Sequence, residues 1–422
     1  IMKKNKLGFL FIAVLPILNL ILWLITPKAN FPKKEEFQSQ FWAEVLASEG
    51  MILMGIALIL AARPKSLEPH FGGLDKMYKG HKIAAIVGIW FIIIHKFTIP
   101  ESGDEGFGPK LGMVGLIGFV LLIVLTLLSN KIKYNTWKKS HKFIGIFFIV
   151  GIVHTFMVDN LLQFAPAPSV LTRVISFVAV FAYIYQETLR YILTPNLKYT
   201  VSEVNRLTDS IVELALRSSD KDLTYNAGQF LSIKFDRDGL KEYHPFTISS
   251  GGNPGGYSNT LKLSIKASGD FTKNLYETIE VNDIASIQGA YGQLDYTKGK
   301  NKQIWVAGGI GITPFLSWSR SFMSGVKQEV HLFYSVRTLE EAIFVEELKV
   351  KADSYDNFNF YLWCSEEKGH INGENINRKI EINRETSVYL CGPKAMTQNI
   401  SKQLIVLNVN KSDVHFEEFN FK

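Results

Sequence analysis

Six long apolar segments dominate the first 194 residues of this 422-residue chain. They cover residues 7–25, 43–62, 81–99, 111–128, 141–158 and 170–191. Several approach the ~20 residues that a helix needs to cross a bilayer. Because a bilayer offers no water to backbone polar groups, these segments predict a bundle of six membrane-spanning helices. We expect the first segment to be a retained helix, with a cleaved signal peptide as the alternative.

Basic residues set the direction in which these segments cross the bilayer. Lysine and arginine cluster before the first segment, between the second and third, and between the fourth and fifth. By the positive-inside rule both termini are expected in the cytoplasm, in a multi-pass protein of the plasma membrane. The net charge of +7 follows from this arrangement, and we expect no nucleic-acid binding. The two cysteines, Cys364 and Cys391, lie outside the apolar half and imply no disulfide framework.

The third and fifth segments each carry two histidines. His81 and His95 are fourteen residues apart, and His141 and His154 are thirteen residues apart. At ~1.5 Å rise per residue, the members of each pair are separated by roughly 20 Å along the helix. The two segments run in the same direction, so the histidines form one cytoplasmic level and one outer level. Imidazole is a good metal ligand, and ionisable residues inside a membrane are rare enough to indicate function.

These positions predict two haems held between the helices. His81 and His141 would hold an inner haem, and His95 and His154 an outer one. The absence of a CxxCH motif excludes covalent attachment and leaves b-type haem. The alternative is that the histidines are ordinary polar groups of the bundle. At about 100° per residue, fourteen residues return to within ~40° of one face, whereas thirteen miss it by ~140°. The fifth helix is therefore expected to be distorted, or its ligands reach the haems from different sides.

Four further residues of this half are candidates for supporting roles. Phe147 is expected at mid-depth between the haems, with core packing or lipid contact as the alternative. Glu44 and Glu49 are expected at the interface near the outer surface, with a place facing a polar cavity as the alternative. Arg173 lies at the start of the sixth segment, where it would meet a haem propionate, an anionic product or lipid headgroups.

From residue 195 the pattern changes to short alternating strands with Gly and Asp turns. They predict a small antiparallel barrel over residues 195–298. HPFTISS at 244–250 and KASGDFT at 266–272 offer hydroxyl and backbone N–H groups to a phosphate or a flavin ring edge. Lys266 would balance phosphate charge. Because hydroxyl residues are common on strands, an ordinary structural role stays open for them.

Residues 299–422 predict an α/β domain with a parallel sheet. IWVAGG is typical of a buried strand, GGIGITP of a glycine-rich turn and FLSWSRSFM of a helix. The N–H groups of such a turn, at a helix N-terminus, suit a pyrophosphate. Arg337 follows the next strand and would bind a 2′-phosphate, favouring NADPH over NADH; a surface arginine is the alternative. Cys391 would lie beside a nicotinamide, although no base in its own motif makes it a covalent nucleophile.

Together these motifs resemble the ferric reductase and NADPH oxidase superfamily, and in particular a bacterial NADPH oxidase. The resemblance covers nearly the whole chain and implies a six-helix transmembrane di-haem domain (1–194), a FAD-binding β-barrel (195–298) and a ferredoxin-reductase-like NAD(P)H-binding α/β domain (299–422). HPFTISS and GDFT look like the family's flavin motifs, GGIGITP like its pyrophosphate motif and LCGP like its nicotinamide motif. The residues implied to bind cofactors are His244, Pro245, Phe246, Thr247, Ser249, Ser250, Lys266, Gly269, Asp270, Phe271, Thr272, Gly308, Gly309, Gly311, Thr313, Pro314, Arg337, Cys391, Gly392, Pro393 and Phe419.

The resemblance also assigns roles near the reacting atoms. In the family a C-terminal aromatic residue covers the flavin ring and is displaced by nicotinamide. The tail HFEEFNFK points to Phe419 for this role, with Phe421 as the second choice, and Cys391 is expected beside the nicotinamide. One position departs from the family. Eukaryotic oxidases carry another histidine one turn beyond the outer ligand of the third helix, near oxygen, and here that position is Ile99.

The implied activity is that of a transmembrane NADPH oxidase. Electrons would pass from cytoplasmic NADPH through FAD and two b-type haems to extracellular oxygen, giving superoxide. The alternatives are a ferric-chelate reductase of the same architecture and a membrane-anchored flavin reductase that serves a cytoplasmic partner. The expected partners are NADPH, oxygen or a ferric chelate, and the lipid bilayer. We expect constitutive activity, without an obligatory protein partner.

Overall fold

The computed structural model describes residues 7–32, 36–64, 66–100, 106–132, 134–158, 160–189, 196–252, 260–322 and 326–416. The chain divides into two compact units, one up to residue 193 and one from residue 194. The first and last residues given above for the three domains stay predictions.

The described part of the first unit is helical. Its α-helices are α1 Leu7–Ile25, α2 Phe37–Ala61, α3 Glu68–Phe71, α4 Leu74–Thr98, α5 Phe107–Leu127, α6 Tyr134–Lys142, α7 Ile144–Met157 and α8 Pro166–Ile184. Among the described residues, six stretches are long and apolar enough to cross a bilayer: Leu7–Ile25, Phe37–Ala61, Lys76–Thr98, Phe107–Leu127, Thr136–Met157 and Pro166–Leu189. The prediction of six membrane helices is therefore confirmed.

Helix α2 is the most buried of these helices. Of its apolar stretch 78% is buried inside the unit, against 17% for α5. Small residues let α2 and α4 approach closely: a Cβ added at Gly50 would lie 2.7 Å from Cγ1 of Ile92 and 3.0 Å from the carbonyl oxygen of Gly88. Close packing through small residues is the usual way in which membrane helices associate. It places α4, which carries His81 and His95, directly against α2.

The fifth membrane span is broken into α6 and α7 at Phe143. The backbone N–H of Phe143 donates to Ser140 and that of Ile146 donates to Phe143, so these two hydrogen bonds span three residues rather than four. Tyr183 of α8 stabilises the break, because its hydroxyl donates to the carbonyl oxygen of Lys142 at 3.0 Å. A three-residue turn rotates the chain by about 120° per residue, more than an α-helix does. Such a turn changes the rotation between His141 and His154. A distortion of this helix, one of the two alternatives drawn from the thirteen-residue spacing, is therefore present at Phe143.

A buried polar cluster joins α1 to α2. Asn19 donates from Nδ2 to Oγ of Ser48 and to Oε1 of Glu49, each at 3.0 Å. Trp23 donates from Nε1 to the same Ser48 oxygen, also at 3.0 Å. Glu44 and Glu49 are only 6% and 5% exposed. Partners from neighbouring segments allow both glutamates to be buried, as expected if they face a polar cavity. Their place near the outer surface stays a prediction.

The second unit begins with an antiparallel sheet. Its strands are β1 Leu197–Thr208, β2 Ile211–Ser218, β3 Phe230–Phe235, β4 His244–Thr247, β5 Thr260–Lys266 and β6 Ile284–Tyr291, with helix α9 Asp270–Thr278 after β5. The strand order is β4-β3-β6-β1-β2-β5. An isolated bridge between Ile248 and Leu263 joins the two ends of the sheet. Apolar side chains of the other five strands fill the interior, and Phe246 of β4 packs against them. The predicted barrel is confirmed.

A parallel sheet follows the barrel. Its strands are β7 Lys302–Gly308, β8 Glu329–Val336, β9 Phe358–Cys364, β10 Thr386–Cys391 and β11 Val414–Phe416, in the order β11-β10-β7-β8-β9. Its helices are α10 Thr313–Ser321, α11 Val345–Ser354, α12 Ser365–Lys368, α13 Gly373–Asn377 and α14 Lys394–Val406. The chain leaves β7 in one direction and returns as β10 on its other side. Ligands of such sheets bind at the carboxyl ends of the strands that flank this point.

Candidate functional site

Each of the four membrane histidines bonds an oxygen atom through Nδ1. The distances are 2.8 Å from His81 to the Ala57 carbonyl, 2.9 Å from His95 to the Ala43 carbonyl, 2.8 Å from His154 to the Gly108 carbonyl and 3.1 Å from His141 to the Thr126 hydroxyl. The acceptors lie on α2 for the two histidines of α4, and on α5 for the other two. All four rings are thus oriented by a neighbouring helix.

These bonds determine which ring nitrogen carries the proton. A carbonyl oxygen only accepts, so Nδ1 must be the donor in three of the rings. The Thr126 hydroxyl gives its own proton to the Leu122 carbonyl at 2.8 Å, so its oxygen accepts from Nδ1 of His141. In a neutral imidazole with a protonated Nδ1, Nε2 keeps its lone pair and can bind a metal. The four histidines therefore share the tautomer that a haem ligand needs.

The structure brings the inner pair together. The ring centroids of His81 and His141 are 6.1 Å apart. Two imidazole nitrogens bound to opposite sides of one metal, at about 2.0–2.1 Å each, put their ring centres roughly 6 Å apart. The observed separation fits one iron between these two rings. Trp137 lies beside the pair, 5.4 Å from the His141 ring.

The outer pair lines a cavity of about 1260 Å³. His95 and His154 both contribute to its wall, and Ile99 lies there as well. A Cβ added at Gly112 would fall 2.6 Å from Cε1 of His154, so a glycine is needed for the ring to occupy this place. A cavity of this size between two imidazole groups fits a haem. The predicted pairing of inner and outer histidines is thus compatible with the geometry.

Polar residues complete the wall of this outer cavity. Glu44 lines it and accepts the backbone N–H groups of Leu161 and Leu162 at 2.6 and 3.1 Å. Arg173 also lines it, with its guanidinium 5.5 Å from the centre of the Phe156 ring. Gln40, Lys96 and Asn160 line it too, so the wall of the cavity is part polar and part apolar.

Phe147 is half-buried and packs against the hydrophobic cluster of the bundle. A Cβ added at Gly118 would fall 2.2 Å from the Phe147 ring, so the ring lies directly against the α5 backbone. This contact agrees with core packing, one of the alternatives weighed for Phe147.

The two predicted flavin motifs meet in the barrel. HPFT forms β4, and GDFT forms the N-terminus of α9. The rings of His244 and Phe271 stack with centroids 3.7 Å apart, and Phe246 lies 6.4 Å from Phe271. Pro245 lies between the two aromatic residues on β4, opposite Ser232 of β3. The motifs therefore form one aromatic surface, although about twenty residues separate them in sequence.

Several hydroxyl groups of these motifs are engaged within the protein. The Ser249 hydroxyl accepts from the Ser264 hydroxyl at 3.2 Å. The Ser250 hydroxyl accepts from the backbone N–H of Lys262 at 3.0 Å and bonds the Tyr225 hydroxyl at 2.8 Å. Both serines are buried, as is Thr247. These bonds support the ordinary structural role for the serines.

The second flavin motif caps its own helix. The Thr272 hydroxyl accepts the backbone N–H groups of Ser268 and Gly269, each at 2.9 Å. Asp270 is exposed in the first turn of α9, and Lys266 is half-buried at the end of β5. Their predicted contacts with phosphate stay predictions.

The two nucleotide motifs meet at the carboxyl ends of β7 and β10. After Gly308 the chain makes a tight turn through Gly309, whose φ of +53° lies in the left-handed region that glycine tolerates best. A Cβ at Gly311 would lie 2.4 Å from the Cys391 carbonyl oxygen, and one at Gly308 would lie 2.8 Å from Cδ of Pro393. Two glycines thus allow the turn that begins α10 to pack on the loop after β10.

The other predicted nucleotide-binding residues at this edge of the sheet differ in backbone conformation and burial. Gly392 follows Cys391 with φ of +150°, whereas Thr313 and Pro314 are buried in the first turn of α10. The Cys391 thiol is fully buried in the hydrophobic core beneath the sheet edge. Arg337 follows β8, is exposed, and pairs through Nε with Oε1 of Glu366 at 3.1 Å. Phe419 and Phe421 lie outside the described residues.

Three protein-family models match successive parts of the chain. Residues 46–152 match a ferric reductase like transmembrane component, 196–306 a FAD-binding domain and 305–402 an oxidoreductase NAD-binding domain. The chain belongs to the ferric reductase and NADPH oxidase superfamily. It is a multi-pass membrane oxidoreductase with binding domains for FAD and a nicotinamide nucleotide. The matched segments contain His81, His95 and His141 and all four nucleotide motifs, whereas His154 lies just outside them.

Curated relatives of this oxidoreductase match about half of its length. It is 25% identical to flavohemoprotein B of Dictyostelium discoideum over 53% of this chain and 59% of that protein. It is 27% identical to NADH-cytochrome b5 reductase 1 of the same organism over 48% of this chain and 74% of that protein. Among solved structures, a flavohemoglobin from Malassezia yamatoensis aligns with a TM-score of 0.53 and 20% identity, over 92% of this chain and 99% of that one. At 20% identity, this similarity shows a shared fold and nothing about activity.

Proposed function

We propose that this oxidoreductase is a transmembrane NADPH oxidase that produces superoxide. The observation that carries the proposal is the shared tautomer of the four histidines, each with Nδ1 bonded to a neighbouring helix and Nε2 available for a metal. When bound, FAD would take a hydride from cytoplasmic NADPH and release single electrons, and two b-type haems would carry them to extracellular oxygen. Both termini would then lie in the cytoplasm, with the protein in the plasma membrane.

The residues of the bundle would hold and orient the two haems. His81 and His141 would be the inner ligands, and His95 and His154 the outer ones. Three backbone carbonyls and the Thr126 hydroxyl would keep the rings aligned as ligands. Such outer partners fix ring orientation and raise the basicity of the ligand. With two histidines assigned to each haem, these residues would hold the haems, and the haems would supply one-electron transfer towards the external acceptor.

The second unit would bind the two nucleotides. The N–H groups of the turn Gly309–Ile312 and the start of α10 would bind the pyrophosphate of NADPH. The stacked rings of His244 and Phe271 would lie along the flavin, and Phe419 would cover its ring until nicotinamide displaces it. Arg337 would exchange its exposed partner Glu366 for the 2′-phosphate.

The role of Arg337 is tested by its replacement with alanine. R337A should raise the KM for NADPH much more than the KM for NADH, because only NADPH carries the 2′-phosphate. Arg378, exposed and paired with Glu374 at 3.7 Å, provides the matched control as R378A. Equal effects of R337A on the two nucleotides would refute this role.

The activity is tested by anaerobic stopped-flow spectroscopy of the purified protein with NADPH, followed by addition of oxygen. Reduced b-type bands that disappear rapidly in oxygen, with cytochrome c reduction that superoxide dismutase suppresses, are the expected result. The purified chain should turn over without added calcium or a second subunit. A requirement for either would contradict constitutive activity.

A ferric-chelate reductase of the same architecture is the second candidate. The observation that favours it is Ile99, which lines the outer cavity where eukaryotic oxidases of the family carry a histidine. In that case the haem bands would persist in oxygen and disappear on addition of a ferric chelate. A protein without a Soret band after haem-replete expression would instead indicate a membrane-anchored flavin reductase.

A further inference from the structure

Helix α10 connects the nucleotide turn to the flavin motif. Its first residues follow the turn that would bind the pyrophosphate, whereas its last residues contact the loop after β4. The Ser317 hydroxyl donates to the Ser250 carbonyl at 2.7 Å, and the Ser321 hydroxyl donates to the Gly252 carbonyl at 3.1 Å. Both carbonyls belong to the segment that begins with HPFT. One helix therefore contacts both nucleotide sites.

Arg320 lies between these two serines and extends the connection. Its Nη1 donates to the carbonyl of Ser249 at 2.9 Å and to Oε1 of Glu213, on β2, at 3.1 Å. Its Nε and Nη2 donate to both carboxylate oxygens of Glu347, on α11, at 2.7 and 2.8 Å. The guanidinium thus links the flavin barrel, α10 and α11 through four hydrogen bonds.

The surroundings of Arg320 make this link stiff. Its side chain is 16% exposed and that of Glu213 is 6% exposed, so the pair is largely removed from water. Lys262 of β5 contacts the other Glu213 oxygen at 3.3 Å, and the Phe344 ring lies 5.0 Å from the guanidinium carbon. The planar guanidinium of arginine donates hydrogen bonds in several fixed directions at once. The ammonium group of a lysine cannot reproduce this arrangement of donors. Charge alone would therefore not replace Arg320.

We propose that Arg320 is a positioning residue for hydride transfer, which sets the distance between the nicotinamide and the flavin. The proposal rests on the proposed function, in which the hydride leaves C4 of NADPH with both electrons and bonds to N5 of FAD. NADPH is thereby oxidised and FAD is reduced by two electrons. A misplacement of about 1 Å between reacting groups costs roughly 100-fold in rate. Arg320 holds the end of α10 against the flavin motif, so its loss changes this distance without removing a nucleotide contact.

The test uses the full chain with the variants R320Q and R320K. Anaerobic stopped-flow traces at several NADPH concentrations separate the limiting rate of flavin reduction from the Kd for NADPH. We expect the limiting rate to fall by about 10- to 100-fold in both variants, with a change in Kd of less than about threefold. R378Q removes an exposed arginine of the same sheet domain and should change neither quantity.

A second measurement does not depend on bound nucleotides. Spin labels on cysteines introduced at the exposed positions Lys221 and Lys379 report the distance between barrel and parallel sheet, since Cys364 and Cys391 are buried. We expect one narrow distance distribution in the parent protein and a broad one in R320Q. E347A, which removes only the α11 partner, gives an intermediate breadth and serves if R320Q does not fold.

Three results would overturn the proposal, and the first two concern R320Q. One is a wild-type limiting rate in R320Q, and the other is a narrow, unchanged distance distribution. A rise in Kd alone would assign Arg320 to nucleotide binding and would also overturn it. Failure of NADPH to reduce the parent protein would refute the proposed function instead, and the spin-label distances would still decide whether Arg320 holds the two domains in place.

Discussion

Replacement of Gly112 by alanine should selectively remove the outer haem. Gly112 lies on α5 against the ring of His154. A Cβ at this position would fall 2.6 Å from Cε1, 2.7 Å from Nδ1 and 2.9 Å from Nε2 of that ring. Non-bonded heavy atoms prefer separations of about 3.5–4.0 Å. The ring must therefore move, and its 2.8 Å hydrogen bond to the Gly108 carbonyl is lost or stretched.

The size of the effect follows from this lost bond. A buried group left without its hydrogen-bond partner costs about 1–3 kcal/mol. At 1.4 kcal/mol per tenfold, this weakens outer haem binding by roughly 5- to 150-fold. The range agrees with the 10- to 100-fold loss of metal affinity that usually follows removal of a partner of a ligating histidine. Since the inner histidines are untouched, about one haem per chain should remain.

The assay is the haem content of purified G112A, measured as the pyridine haemochrome per protein, together with the reduced-minus-oxidised spectrum. Gly115 provides the control, because it lies on the same helix and a Cβ there would meet Val150 at an ordinary 3.5 Å. G115A should keep both haems. Wild-type haem content and potentials in G112A would refute the reasoning, and an equal loss in G115A would show a general effect on α5.

Three further predictions concern single contacts. T126V removes the hydroxyl that accepts from the His141 ring and should weaken inner haem binding by about 1 kcal/mol. T126S retains the hydroxyl and should bind the haem as the parent does, and haem titration compares the affinities of the two variants. Y183F removes the hydrogen bond to the Lys142 carbonyl and should lower the temperature of haem release in a Soret melting experiment, and an unchanged temperature would contradict a role in the helix break. Burial lowers the pKa of His331 from its ordinary 6.5, so its contribution to stability is complete above about pH 6.5 and is lost as the pH falls below it. In H331Q the melting temperature of the full chain should decline less between about pH 7 and about pH 5 than in the parent, and equal declines would argue against this linkage.

The membrane helices were predictable because hydropathy reports burial in lipid directly. The thirteen-residue spacing of His141 and His154 also predicted that their helix is irregular. It did not locate the break at Phe143, since the hydroxyl that stabilises it comes from Tyr183, on another helix. The burial of Glu44 was also not predictable, because two of its hydrogen-bond donors are backbone N–H groups of residues 161 and 162, far away in sequence.

The nucleotide turns were predictable because their chemistry is local. Strand, glycine turn and helix follow one another within a few residues, as in 302–321. By contrast, Arg320 gave no sequence signal, since its partners Glu213, Ser249 and Glu347 come from three distant segments. The serines of HPFTISS show why the ordinary structural role had to stay open, because their hydroxyl groups are bonded to protein neighbours that are distant in sequence. Strand β11 was not predicted, because a strand of three residues is too short to show an alternation of apolar and polar residues.

The hydrogen bonds from α2 to the histidines of α4 constrain the length of α2 in related chains. Its carbonyls at Ala43 and Ala57 bond His95 and His81, and both pairs are fourteen residues apart. Every amino acid supplies a carbonyl, so substitutions at these two positions keep both acceptors. A single insertion or deletion between them would rotate one carbonyl by about 100° and remove it from its histidine. Across relatives, the number of residues between these positions in α2 should therefore be constant even where the residues themselves differ.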